Sequence, residues 1–206
     1  MRAFRRDSSG AAVARFDREE AGILRHLAGE MLELLDRGAT SEEARSDPAL
    51  ARLLPDAYRD DAEAAAEFRR FTGADLAGRK MDDARAITAA LDAGDGSGHG
   101  RVFAGLGEVS VRLEPPQALS WLRALTDMRL ALAVRLGIVD TDDVEPEGEN
   151  GAAIRSVYDW LGSVQDGLVR AVDVVRSPQP STGVDNPVER CGQPIGSRRA
   201  ADRAPA

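Results

Sequence analysis

Apolar and polar positions recur along this chain with two different periods, and the switches between them mark out its elements. Ala3-Phe4-Arg5 and Val13-Ala14-Arg15 flank Asp7-Ser8-Ser9-Gly10, a cluster of turn-forming residues, so the first sixteen positions predict a β-hairpin. A helix follows. Asp17 can cap it, Glu20 stands where a reciprocal cap forms, and Phe16 is placed to staple the entry. Leu24, Leu27, Met31 and Leu34 then recur at helical spacing, with an end expected near Arg37 and Gly38 as the stop.

The pattern breaks between Thr40 and Tyr58. Thr40-x-x-Glu43 suggests one helical turn and Asp47-Pro48 the start of another, while Pro55 argues against one long helix there. Helical spacing resumes from Asp60 to Phe71. Thr72-Gly73 then reads as punctuation, and a further helix to about Ala93 carries Met81, Ala84, Thr88 and Leu91 on one face. The glycine-rich stretch Gly94–Gly100 reads as a loop. It lacks the strand, helix and Lys-Ser/Thr pair that a phosphate-binding loop needs. Val109, Val111 and Leu113 alternate as in a half-buried strand, which would pair with the hairpin to satisfy its backbone.

Two long helices are expected next. Pro115 and Pro116 open the first, with Leu119, Leu122, Leu125, Leu132 and Leu136 as its stripe and Gly137 as its end. A carboxylate-rich connector, 140–151, leads to Ile154, Val157, Leu161, Val164, Leu168, Ala171 and Val175, an alternation of three and four that suits packing between antiparallel helices. Burying six such aliphatics supplies roughly 9 to 18 kcal/mol before chain entropy is counted, so this helix belongs to the core. From Ser177 onward five prolines and no sustained period predict a disordered tail. The expected organisation is a single mainly helical domain, 1–176, and a tail, 177–206. The fold class is α+β, mainly α: a helical bundle with a small antiparallel sheet made by the hairpin and the strand near residue 111.

Charge narrows the function. The net charge is −8, and the tail contributes +1 (Arg190, Arg198, Arg199 and Arg203 against Asp185, Glu189 and Asp202), which leaves −9 on residues 1–176. Such a surface repels phosphate backbones, so direct DNA binding is not expected. No stretch approaches the roughly 20 uncharged apolar residues of a membrane span, and the basic residues at the start have no apolar run behind them, so a cytoplasmic protein is expected. The single cysteine, Cys191, fits a reducing compartment. His26 and His99 have no partner at metal-ligand spacing, so neither metal nor cofactor is expected. Every basic residue except Lys80 is arginine, as a GC-rich coding bias would produce.

Candidate chemistry is sparse. Asp56, Tyr58 and Arg59, followed by Asp60 and Asp61, read either as a partner-contact corner or as a capped helix start. Arg123 and Asp127 stand four apart and could pair along their helix. Arg129 lies beside the leucine stripe, where a charge needs a partner: an inter-helix ion pair is the plainer reading and a ligand contact the sharper one. Cys191, next to Arg190, is a redox candidate, though it has no second cysteine to resolve an oxidised sulfur. No nucleophile stands with a base and an orienting group, so catalysis is not expected.

Leu53-Leu54-Pro55-Asp56-Ala57-Tyr58-Arg59-Asp60-Asp61 followed by Phe68-Arg69-Arg70, then Trp121-Leu122 through Asp127-x-Arg129-Leu130-x-Leu132 to Arg135-Leu136, then Val157-Tyr158-x-Trp160-Leu161 with Val164-Gln165-Asp166, form an ordered set. In that order they resemble an actinobacterial family catalogued as domain of unknown function 2017, over about residues 1–176. Its members are often named oxidative-stress transcriptional regulators of actinomycetes. The resemblance implies a non-enzymatic protein that adjusts transcription by contacting a sigma factor or RNA polymerase, sensing through cysteines near the N-terminus. This chain departs from that pattern, because its hairpin and first helix contain no cysteine. A helical interaction module remains, with an acidic surface suited to a basic protein partner and with homo-oligomerisation left open. An adaptor or scaffold in protein turnover or assembly is the other reading.

Overall fold

The computed structural model describes residues 2–40, 46–58, 60–96, 107–138 and 148–173. Three strands form one antiparallel sheet in the order β1 (Arg2–Arg6), β2 (Ala12–Phe16), β3 (Val109–Leu113). The hairpin and the later strand thus meet as expected, with Ala14 opposite Val111 and Phe16 opposite Val109. Asp7 builds the turn by accepting hydrogen bonds from the amides of Ser9 (2.9 Å) and Ala11 (3.0 Å). Strand alternation puts Phe4, Ala12, Ala14, Phe16, Val109, Val111 and Leu113 on the buried face.

Five helices complete the described residues: α1 (Arg18–Thr40), α2 (Pro48–Leu53), α3 (Ala62–Gly96), α4 (Pro115–Arg135) and α5 (Gly148–Asp173). The reciprocal cap at α1 forms as its sequence suggests, with Glu20 N–H donating to Asp17 at 2.8 Å and Asp17 N–H to Glu20 at 2.9 Å. Gly38 does not stop this helix, which runs on to Thr40. Its hydrogen is needed for another reason: a Cβ there would lie 2.3 Å from Leu50 Cδ2, so the glycine lets α2 seat against α1. Asp47 caps α2 by accepting from the Ala49 amide at 2.8 Å, with Pro48 at the first helical position. The helical turn expected after Thr40 falls on 41–45, outside the described residues.

Further expectations need correction: α3 runs on through Gly94 to Gly96, past the expected end near Ala93. The predicted break at Thr72-Gly73 does not occur, and α3 is one continuous helix of 35 residues. A helical glycine costs only about 1 kcal/mol relative to alanine. Thr72 Oγ donates to the Phe68 carbonyl at 2.9 Å within the helix instead of capping a new one. The stripe of α4 differs from the expected one at its start: Leu119 is 49% exposed, Leu125, Leu132 and Leu136 are buried as expected with Leu122 partly so, and Ala118, Trp121 and Met128 complete the core face.

Trp121 is the hub of that core. Its ring lies 5.8 Å edge-on from Phe4 and 6.2 Å stacked on Phe16, and its indole N–H reaches the Ala86 carbonyl at 3.3 Å. On α5, Leu161, Val164, Leu168 and Ala171 are buried, while Ile154 and Val157 pack partly against them. Val175 and the expected tail lie outside the described residues. α5 packs on α4 and on β1, antiparallel to α4 within one chain, since Thr126 meets Gln165 and Arg129 meets both Gln165 and Tyr158. Among the described residues no helix is long and apolar enough to cross a membrane.

Candidate functional site

The polar groups of α4 are shared between its two neighbouring helices. Asp127 and Arg123 do not pair along α4 as their spacing allows. Arg123 forks across to α3, with Nε 2.8 Å and Nη2 3.2 Å from the two carboxylate oxygens of Asp83. Asp127 accepts from Lys80 Nζ at 2.6 Å, one turn before Asp83 on the same face of α3. The result is a crossed pair of ion pairs stitching α3 to α4. The Asp127 side chain is 7% exposed and that of Lys80 18%. Burial holds the Asp127 carboxyl above the ordinary carboxylate range, Lys80 pulls it down, and neighbouring Asp83 adds a push upward.

A buried acid held protonated can transfer protons. Asp127 instead sits against a lysine between two packed helices, the arrangement of a structural tie. Lys80 and Asp83 carried no signal in the local pattern. The signal that could find Lys80 is compositional: it is the sole lysine of an arginine-rich chain, and a compact ammonium suits a tight monodentate contact.

Arg129 points the other way, to α5. Its Nη1 donates to Gln165 Oε1 at 3.0 Å and its guanidinium lies 4.7 Å from the Tyr158 ring centre. Gln165 also donates to Thr126 Oγ at 2.6 Å, so one amide links both residues of α4. The expected inter-helix ion pair is therefore replaced: an amide and an aromatic face, not a carboxylate, satisfy this cation. Its Nε is buried without a hydrogen bond among the described residues.

The third group lies where the loop before α3 meets its early turns. Asp56 pairs with Arg69, and the Tyr58 ring stands edge-on to Phe68 at 6.0 Å. Arg70 lies 5.0 Å over the ring of Phe71. Asp61 accepts from the Ala64 amide at 2.9 Å and so caps the helix, which gives the capped-start reading its physical form. Asp56 and Tyr58 thus join this corner, while Asp127 and Arg129 belong to the helix interfaces far along the sequence from it. Arg59 and Cys191 lie outside the described residues. His26 is exposed on α1, and among the described residues no group of three His, Cys, Asp or Glu side chains could hold a metal ion.

The family model described as Domain of unknown function (DUF2017) matches residues 1–172. A Mycobacterium tuberculosis protein named oxidative stress regulator AosR is 32% identical over 177 residues, covering 73% of this chain and 77% of its own length. The Mycobacterium bovis protein of that name has the same identity and coverage. A Mycobacterium leprae protein carrying the name AosR is 29% identical over 178 residues, covering 74% of this chain and 78% of its own length. No solved structure matches the chain.

Proposed function

The chain belongs to the DUF2017 family, and from that premise we propose that it is a non-enzymatic regulator of transcription under oxidative stress, acting through contact with a sigma factor or RNA polymerase. The observation that carries this reading is the name oxidative stress regulator borne by relatives aligned along most of the chain. The geometry is consistent with it. The ionised groups of α4 are taken up by Asp83, Lys80 and Gln165 in ties between helices, as in an interaction module whose interior is structural. The net charge of −8 favours a basic protein surface over a phosphate backbone. No cysteine stands in β1, β2 or α1, so a thiol that senses oxidant belongs either to Cys191 or to the partner.

The test is affinity capture from native extract with and without peroxide, read by mass spectrometry, using the full chain and its Cys191→Ser variant. Recovery of a sigma factor or polymerase subunits supports the reading, and loss of peroxide sensitivity in the variant assigns the sensor to Cys191. Recovery of only protease or chaperone components replaces the reading with that of an adaptor in protein turnover.

A further inference from the structure

The three strands turn their arginines to solvent. Five of the fifteen strand residues are arginines and none is acidic, which leaves −13 on the remainder of a chain whose total is −8. Alternation sends Arg5, Arg15, Ser110 and Arg112 outward, all exposed, with Val13 half-buried among them. Val13 pairs with Arg5 on one side and Arg112 on the other, and Arg15 stands opposite Ser110 in the next outward row. The three arginines therefore surround Val13 at Cα spacings of about 7–10 Å. Between them lies a shallow cavity of about 220 Å³, to which all five of these residues contribute.

The cations of this face are unequally committed. Arg112 is held at the rim by Glu114 at 2.8 Å and Asp7 at 3.4 Å, and its Nη2 also donates to Ser9 Oγ at 2.6 Å. Arg15 reaches Glu108 only at 3.8 Å, beyond hydrogen-bond distance. Arg5 has neither an ion pair nor a hydrogen bond among the described residues. Like charges on neighbouring strands repel, and no described group relieves Arg5. Two cations are thus free to close on one ligand, and they call for two negative charges. A carboxylate is filled by a single guanidinium fork, whereas a phosphoryl group offers three terminal oxygens and about −1.5 to −2 of charge. It can take a fork from Arg5, another from Arg15 and a bond from the Ser110 hydroxyl. The acids limit its size. Asp7, Glu108 and Glu114 stand just beyond the strand ends, so a polyanion crossing the face meets like charge on both sides.

We propose that the outward face of the sheet is a binding site for a small phosphate monoester, held by Arg5 and Arg15, with Ser110 as a further donor, Arg112 at the rim and Val13 as the floor. The cavity is open to water, so phosphate alone should bind weakly, with a Kd of roughly 0.1–1 mM. An ester whose carbon atoms rest on Val13 gains apolar contact that phosphate lacks. This goes beyond the regulatory reading and does not depend on it.

NMR titration of the full chain with inorganic phosphate at neutral pH, against sodium chloride of equal ionic strength, is the test. Phosphate should shift the amides of Val13, Arg15 and Ser110 to saturation, and glycerol phosphate should do so at lower concentration. Arg5→Gln should weaken binding about ten-fold, and Arg5→Gln with Arg15→Gln should abolish it. Circular dichroism of these variants should match wild type, since both side chains lie on the solvent face. Arg79→Gln, at an exposed arginine of α3, should leave binding unchanged. Absence of saturation beyond the chloride control overturns the proposal, as does saturation that the double variant leaves intact. Acetate competing on equal terms with phosphate would overturn the choice of ligand. So would a phosphoserine peptide or a single-stranded oligonucleotide that binds about ten-fold more tightly than glycerol phosphate, because the occupant would then be a protein or a nucleic acid.

Discussion

Removing the Lys80 ammonium is the sharpest perturbation of this fold. Lys80→Met keeps most of the stem that packs between α3 and α4 and deletes only the charge. Asp127 is 5% exposed overall and would then hold a carboxylate in a nearly dry position with its cation gone. Breaking a buried pair by removing one partner costs about 3–5 kcal/mol. The remaining exposure of Lys80 lets some water reach the site, so about 2–4 kcal/mol is expected near neutral pH. The pH dependence carries the decisive information. Burial already places the folded pKa of Asp127 above its ordinary value of 3.8, so the folded chain takes up this proton before the unfolded chain does. The contribution of Asp127 to stability accordingly declines as pH rises from that ordinary value through the folded pKa. Without Lys80 the folded pKa climbs further and the declining window widens. The deficit of the variant should therefore shrink on acidification, where protonation neutralises the stranded group. Urea unfolding of wild type and variant across a pH series, followed by far-UV circular dichroism, measures the difference directly. Adding Asp127→Asn should recover most of the loss. A deficit below about 1 kcal/mol, or one flat with pH, would show that the pair is hydrated and that its burial does not govern its energy.

Two further expectations test how α3 is held. Arg123→Ala should cost about 1–2 kcal/mol by leaving Asp83 without its fork, and Arg123→Lys should restore only part of this in the same urea assay, since one ammonium cannot span both oxygens. Gly94→Ala would place a Cβ 2.3 Å from the Ser110 carbonyl oxygen and 3.0 Å from Val109 Cγ1. It should cost about 1–3 kcal/mol by forcing α3 off β3, visible as a lowered calorimetric Tm.

Features encoded within a few residues were legible in the sequence. The Asp7 turn, the Asp17–Glu20 cap, the Asp47-Pro48 start and the alternation of Val109, Val111 and Leu113 each state their structure locally. Features set by a distant neighbour were not. Spacing allowed Arg123 to pair with Asp127, and only the arrival of Lys80 and Asp83 from α3 decides otherwise. Arg129 called for a partner, but nothing local could say that Gln165 and Tyr158 would supply it. Leu119 has helical spacing from Leu122, yet the aromatic hub around Trp121 fixes which side of α4 turns inward. Gly73 and Gly38 look alike as helix stops. One is tolerated in an exposed turn, and the other admits Leu50 at close range.

The placement of β1 also determines when the protein can fold. Phe4 packs on Trp121, and the backbone of β1 is approached by Gly167 of α5, whose Cβ position is 3.5 Å from the Phe4 nitrogen. β2 can pair with β1 as soon as the hairpin is made, but β3 joins β2 from almost a hundred residues later. β1 is thus made well before its cover, because α5 is the last helix of the described residues. Until α5 emerges, the nascent chain leaves Phe4 and the backbone of β1 without that cover. Long-range closure of this kind is slow and exposes intermediates to aggregation. Chains interrupted before about residue 160 should depend on chaperones more than chains that include α5.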